Sequence, residues 1–164
     1  MLMIKDIASL KEGTFELTWH DSTDFSKIKP ILQVYGICFN SNGKIVLINT
    51  NGKWCLPGGT PEKEESFEET LIREVDEEAS VDIKRVFPLG YQKVLNMKDN
   101  SIIYQLRYAA LISKVNKPKI DVATRVIPKR KFISPSNFLE YCKWGNTGKA
   151  IIEKAVKWFN SQKR

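Results

Sequence analysis

The sequence predicts an α+β fold, an α/β/α sandwich with a mixed β-sheet between helices. Three observations carry that prediction: short apolar runs rich in β-branched and aromatic residues, Gly- and Pro-bearing turns between them, and two stretches with helical apolar spacing. At 164 residues the chain has room for one compact domain, so residues 1–164 are read as a single unit. A 42% hydrophobic and 27% charged composition is ordinary for a globular protein, which argues against a disordered, collagenous or coiled-coil chain. No run approaches the roughly 18–20 apolar residues of a membrane span. The start lacks a charged segment followed by an apolar one, so secretion is not expected. Cys38, Cys55 and Cys142 fit neither a disulfide framework nor a zinc site. A soluble cytoplasmic chain with no membrane partner follows.

Residues 1–30 read as a strand/linker extension with one strand near 13–19. The run 31–39 is β-rich and too short for a long helix, so it is a strand. Ser41, Asn42 and Gly43 supply a turn, and 44–48 return as a hairpin partner. Asn51 and Gly52 mark a second turn before Trp54, Cys55 and Leu56, and Pro57, Gly58 and Gly59 form a helix-incompatible loop. Further strands fall near 86–95, 101–113 and 126–133. A helix over 66–79 opens with Ser66 and Glu69, a capping box in which each side chain satisfies an orphan amide. Its buried face is Leu71, Val75 and Ala79, with Ile72 beside them. A short helix over 136–141 precedes a C-terminal helix over about 148–162. Thr147 is its expected N-cap, and Ile151, Ala155, Trp158 and Phe159 form its apolar face.

The formal charge of +7 is segregated. Residues 58–82 hold 2 Lys and Arg against 10 Asp and Glu, whereas residues 114–164 hold 13 against 3. An acidic segment in a basic protein is a candidate cation site beside an anion-attracting surface, or simply one solvated acidic helix and one solvated basic helix. Spacing decides between them. At about 100° per residue, Glu78 lies about 40° to one side of Glu74 and Glu77 about 60° to the other. Three carboxylates thus share one stripe beside the buried face, where like charges repel by a few tenths of a kcal/mol per pair. A hard divalent cation relieves such a stripe, because Mg²⁺ prefers oxygen ligands. Glu62, Glu64, Glu65, Glu68 and Glu69 sit at or before the helix N-terminus, where negative charge suits the dipole.

Gly59, then Glu65 six residues on, then Arg73-Glu74-Val75-Asp76-Glu77-Glu78-Ala79-Ser80-Val81 resembles the signature box of the Nudix (MutT-type) hydrolases. That box is a glycine, a glutamate six on, then Arg-Glu-apolar-x-Glu-Glu-x-Gly-apolar. Residues 59–81 match every specified position except Ser80, which stands where the family has glycine. Glycine there admits a left-handed backbone that serine adopts at some cost.

The resemblance implies hydrolysis of the diphosphate linkage of a nucleoside diphosphate joined to another moiety, with Mg²⁺ or Mn²⁺ as cofactor. By similarity, Glu74, Glu77 and Glu78 match metal-binding positions, and the Gly58 carbonyl matches a further metal contact. Gly58 and Gly59 match substrate-binding positions. Glu74 is the expected base or water-positioning group. Arg73 serves catalysis or loop stability, and Glu65 orients the loop. Asp121, the only acid between 100 and 139, is the candidate further metal ligand, with a solvated loop residue as the alternative.

Relatives and the long 1–30 segment suggest a homodimer. Trp19, Tyr35, Tyr104 and Trp144 are either base-stacking or core residues, and His20 reads as an ordinary strand-end histidine. The expected partner is a small nucleotide-derived substrate rather than nucleic acid. A non-catalytic Nudix module binding nucleotide or RNA is the alternative, with the basic C-terminal third as its surface.

Overall fold

The computed structural model describes residues 3–163. Its strands are β1 (Met3–Leu10), β2 (Gly13–His20), β3 (Ile31–Phe39), β4 (Ile45–Thr50), β5 (Lys53–Cys55), β6 (Gly58–Gly59), β7 (Val81–Asn96), β8 (Ile102–Val115) and β9 (Lys129–Ile133). The helices are α1 (Phe67–Ala79), α2 (Phe138–Tyr141) and α3 (Gly145–Ser161). Across the sheet the order is β1-β2-β7-β8-β3-β4-β5, with β6 paired to β3 and β9 to β4. β3 and β8 run parallel and the other pairs antiparallel, so the sheet is mixed as expected.

The central strands are apolar on both faces, and their two-residue period sorts the core into two layers. Val34, Cys38, Leu106 and Ala110 pack with Leu71, Val75 and Ala79 of α1. Ile37, Phe39, Leu47 and Ala109 pack with Ile151, Ala155 and Phe159 of α3. Each fully buried Leu or Val is worth about 2 kcal/mol over leaving it in water. The α/β/α sandwich is therefore a direct consequence of alternating strand residues meeting one apolar stripe on each helix.

Several elements differ from the sequence reading. Residues 3–10 form a full strand where only an extension was expected, pairing along its whole length with β2. The C-terminal helix begins at Gly145, not 148, and Thr147 lies inside it. Its N-terminus is capped by Asp6 of β1, whose carboxylate accepts from the Thr147 N–H at 2.6 Å. Thr147 Oγ1 instead donates to the Trp144 carbonyl at 2.9 Å. Ile72 is 46% exposed, because the sheet covers only the narrow stripe through Leu71, Val75 and Ala79. The strand expected over 126–133 pairs only from Lys129.

One feature of the pairing positions the site. β4 meets β3 only at Phe39 and Ile45. Farther along β3 its place is taken by β6, with Val34 opposite Gly59 and Tyr35 opposite Gly58. The expected Pro57-Gly58-Gly59 loop thus contributes a two-residue strand under α1. Among the described residues no helix is long and apolar enough to cross a membrane.

Candidate active site

α1 presents the acidic stripe because its first turn is fixed as the sequence predicts. Ser66 Oγ accepts from the Glu69 N–H at 3.2 Å, and Glu69 accepts from the Ser66 N–H at 2.7 Å. Helix phase is thereby set from the first residue. Arg73 then organises the acids around it. Its Nε donates to Glu65 Oε1 at 2.8 Å and its Nη2 to Glu65 Oε2 at 3.0 Å, a two-pronged pair. Nη1 donates to Glu74 Oε1 at 2.8 Å and to Glu77 Oε2 at 3.4 Å. Nη2 also reaches the Thr60 carbonyl at 3.2 Å, which ties the preceding loop to the helix. Glu65 further accepts from the Glu62 N–H and from Thr70 Oγ1. The Arg73 guanidinium, with these donors, holds the Glu65 carboxyl down at about 2. Glu65 is a permanent anion locked to Arg73, a geometry suited to holding the loop.

Glu74 and Glu78 behave differently. Burial raises the Glu74 carboxyl above its ordinary value, against the pull of Arg73. Burial pushes Glu78 up to about 7, opposed by the Gly58 N–H and reinforced by the charges of Glu74, Asp121 and Glu77. Glu78 Oε2 accepts from that Gly58 N–H at 2.9 Å. The two glycines are required by close approach. A side chain on Gly59 would collide with the Glu74 carboxylate, and one on Gly58 with the Val34 carbonyl. Glu74 therefore lies flat against the β6 backbone in a cradle that only glycine leaves open.

Asp121 lies in the segment between β8 and β9. Its charge contributes to the rise of Glu78, and its Oδ1 accepts from the Ala123 and Thr124 N–H groups of its own turn. The loop that carries it is moored to the C-terminus of α1. Ser80 is left-handed, at φ 51 and ψ 48, and Oγ, which glycine lacks, accepts from the Lys119 N–H at 3.2 Å. Lys119 Nζ also pairs with Asp76 at 2.6 Å.

Glu74 borders Gly59 and Glu78 borders Gly58, whereas Glu77 pairs with Arg73 and Asp121 with its own turn, so the four do not form a finished coordination shell. Among the described residues no three His, Cys, Asp or Glu side chains stand together as a metal-holding group. Glu74 and Glu77 are turned to Arg73, Glu78 to Gly58 and Asp121 to its own loop. The candidate donors are nonetheless all oxygen and partly buried, which is the chemistry a hard divalent cation takes.

Of the aromatic candidates, Trp19 is buried in the core, while Tyr35 and Trp144 are half-buried and flank Arg107 at 4.8 and 5.0 Å. His20 stacks on Tyr91 with ring centroids 4.6 Å apart. Arg107 itself escaped the sequence reading. The signal was there, a single cation inside the run Leu106-Arg107-Tyr108-Ala109-Ala110. Arg130 escaped it as well. Its guanidinium donates to the Ala79, Ser80 and Asn116 carbonyls.

Residues 29–144 match the family model described as the NUDIX domain. Among solved structures, the Bacillus subtilis pyrophosphohydrolase BsRppH is 23% identical, over 96% of this chain and 97% of that one, with a TM-score of 0.74. A NUDIX hydrolase from Nitrosomonas europaea is 17% identical over 83% and 92%, with a TM-score of 0.62. The NUDIX domain of Shewanella oneidensis NrtR, solved with ADP ribose, is 22% identical over 84% and 94%, with a TM-score of 0.58. At these identities the likeness establishes a shared fold.

Proposed function

We infer that this chain, which belongs to the NUDIX family and is a hydrolase of pyrophosphate bonds, opens the diphosphate linkage of a nucleoside diphosphate joined to another moiety. The observation that carries this reading is the pair of half-buried box carboxylates, Glu74 against Gly59 and Glu78 on the Gly58 N–H. Glu74, Glu77 and Glu78 would hold Mg²⁺ or Mn²⁺, with the Gly58 carbonyl and Asp121 as further candidate ligands. When bound, such an ion neutralises charge on pyrophosphate oxygens and makes a water more acidic. Glu74 is the proton-accepting or water-positioning group. Arg73 occupies its Oε1, which leaves Oε2 for the water, and burial makes the carboxylate a stronger base than one in solvent. Arg73 and Glu65 act on the reaction by fixing the loop and the angle of Glu74. Gly58 and Gly59 let the diphosphate approach the backbone closely. The remainder of the proposal is a single cytoplasmic unit spanning 1–164, acting on a small nucleotide-derived substrate, as a homodimer.

The test is release of monophosphate from nucleoside diphosphate derivatives with Mg²⁺ or Mn²⁺. Glu74→Gln keeps shape and removes charge, so turnover should fall by about 10²-fold or more with the melting temperature little changed. Glu68→Gln, on an exposed helix position, should be nearly silent. Millimolar Mg²⁺ should raise the wild-type melting temperature by linkage. Equal losses in both variants, or no stabilisation by Mg²⁺, sink the site assignment. No turnover on any derivative, with tight nucleotide binding retained, moves the reading to a binding module.

A further inference from the structure

β1 is the outermost strand of the sheet, and among the described residues its backbone bonds to β2 alone. Which groups it leaves free follows from the next strand in. The Met97 N–H donates to the Thr14 carbonyl at 3.0 Å, so Thr14 turns its backbone toward β7 and away from β1. The Ser9–Thr14 pair is therefore unbonded, and in an antiparallel ladder bonded and unbonded pairs alternate. Ile4, Asp6, Ala8 and Leu10 bond inward to β2. Met3, Lys5, Ile7 and Ser9 aim their N–H and C=O groups outward from the edge.

An eight-residue edge with free backbone groups is a template for another strand, and folded chains guard such edges with proline, bulges or charge. β1 has no proline, and its register against β2 runs unbroken from Met3 to Leu10. Its two charges are spent within the chain. Lys5 Nζ pairs with Glu16 at 2.9 Å, and the Asp6 carboxylate caps α3 through the Thr147 N–H. Met3 and Ile7, on the face away from α3, are 57% and 60% exposed.

Self-pairing about a two-fold axis selects one register. Opposite side chains share a face, so odd residues meet odd ones and even residues meet even ones. With Lys5 or Asp6 on the axis, like charges stand directly opposite each other, which destabilises a pair. An axis at Ala8 sets Lys5 against Lys11 and shortens the overlap. Ile7 on the axis meets its own copy, with Lys5 against Ser9, Asp6 against Ala8 and Ile4 against Leu10. No like charges are opposed, and the bonded pairs fall on Lys5, Ile7 and Ser9, whose backbone groups already point outward.

We propose that β1 is an interaction surface for a second copy of this chain, joined edge to edge in antiparallel register about Ile7, so that one sheet runs through both copies. Ala8 and Leu10 line a cavity of about 570 Å³ that has Tyr35, Arg107 and Trp144 in its walls. The partner's Asp6 and the partner's Ile4 stand beside them, so the second copy extends the outer wall of that cavity. This assignment rests on the homodimer of the reading above.

The test is the mass of the full chain by light scattering at about 100 μM protomer, with oxidative cross-linking of cysteine variants. The wild type should have twice the mass of one chain. Ile7→Cys sets two thiols on the axis with Cα atoms about 5.5 Å apart, within disulfide range, and should give a covalent dimer. In Ser9→Cys the two thiols are about 13 Å apart along the strands, so it should stay uncrosslinked, as should the wild type with Cys38, Cys55 and Cys142. Ile7→Pro removes an N–H that β2 does not use, so the mass should fall to one chain with the melting temperature little changed. Should Ile7→Pro fail to fold, Ile7→Lys decides: its side chain is exposed, and the dimer dissociation constant should rise at least tenfold. No cross-link in Ile7→Cys, equal cross-linking in Ser9→Cys, or an unchanged dissociation constant in Ile7→Lys overturns the proposal. A dimer that survives with any of those results keeps the homodimer and removes this surface. A wild type with the mass of one chain removes both, and turnover is scored separately from either.

Discussion

Replacing Arg130 with methionine tests how the end of α1 is held. The last turn of α1 has no basic residue of its own to answer its dipole or cap its carbonyls. Arg130, on the neighbouring β9, does both. It donates to the Ala79 carbonyl at 2.7 Å, the Ser80 carbonyl at 3.1 Å and the Asn116 carbonyl at 2.7 Å. Hydrogen bonds from a charged donor contribute about 1.5–3 kcal/mol each when buried. Arg130 is half-exposed, so water can replace part of what is lost, and about 2 kcal/mol in total is the expected cost. For a domain of this size that lowers the melting temperature by about 4–8 °C. The assay is thermal and urea denaturation, with amide exchange at Asn116, whose N–H is bonded to the Ser80 carbonyl. Lys131→Met is the control. Its ammonium lies over the Trp54 and Tyr141 rings at 4.9 Å from each centroid, a contribution of about 0.5–1 kcal/mol. A loss below about 0.5 kcal/mol in Arg130→Met, or one no larger than the control, refutes the capping argument.

Three further outcomes are expected. Gly59→Ala puts a methyl group into the Glu74 carboxylate, so turnover should fall at least tenfold while urea denaturation shows the fold retained; full activity would mean the cradle is not needed. Ser80→Gly relieves a left-handed serine but removes the Oγ acceptor for the Lys119 N–H. The two effects are each about 1 kcal/mol, so stability should change by less than that while hydrogen exchange at Lys119 accelerates. Glu78 is raised to about 7 from 4.5 by burial, so the folded state binds more protons than the unfolded one between those values. Without divalent cation, its contribution to stability is complete below pH about 4.5 and is lost as pH rises to about 7. Glu78→Gln should flatten that part of the wild-type stability profile, and an unaltered slope would contradict the burial argument.

The parts of the fold that were legible in the sequence are those whose partners are close in the chain. Ser66 and Glu69 are three residues apart, and each satisfies the other's amide. Leu71, Val75 and Ala79 repeat every four residues and meet the sheet as the period requires. The box residues Glu65, Arg73, Glu74, Glu77 and Glu78 lie on one helix and its lead-in, so their adjacency could be worked out from helical geometry. What was not legible depends on pairs far apart in sequence. Asp6 caps a helix more than a hundred residues later, displacing Thr147 from the role its residue type suggested. Ile72 lies within the apolar arc but beyond the edge of the sheet that covers it. Arg107 reads as an isolated charge among apolar neighbours until β7 brings Gln92 beside it from fifteen residues away.

The same distinction explains the serine that interrupts the box. A motif read in one dimension treats position 80 as a lapse, since glycine takes the left-handed conformation more cheaply. In the folded chain, position 80 is where α1 ends and where a second segment, 116–130, must be attached. Ser80 offers that segment an Oγ acceptor for Lys119 and a carbonyl for the Asn116 N–H, and Arg130 closes the junction by gripping carbonyls on both sides. Asp121 lies two residues beyond Lys119, so its place relative to Glu78 depends on this junction, while its Oδ1 serves its own turn. An acid outside the box can therefore act on the site through a loop mooring. Its effect on Glu78 should depend as much on Ser80 and Arg130 as on Asp121 itself.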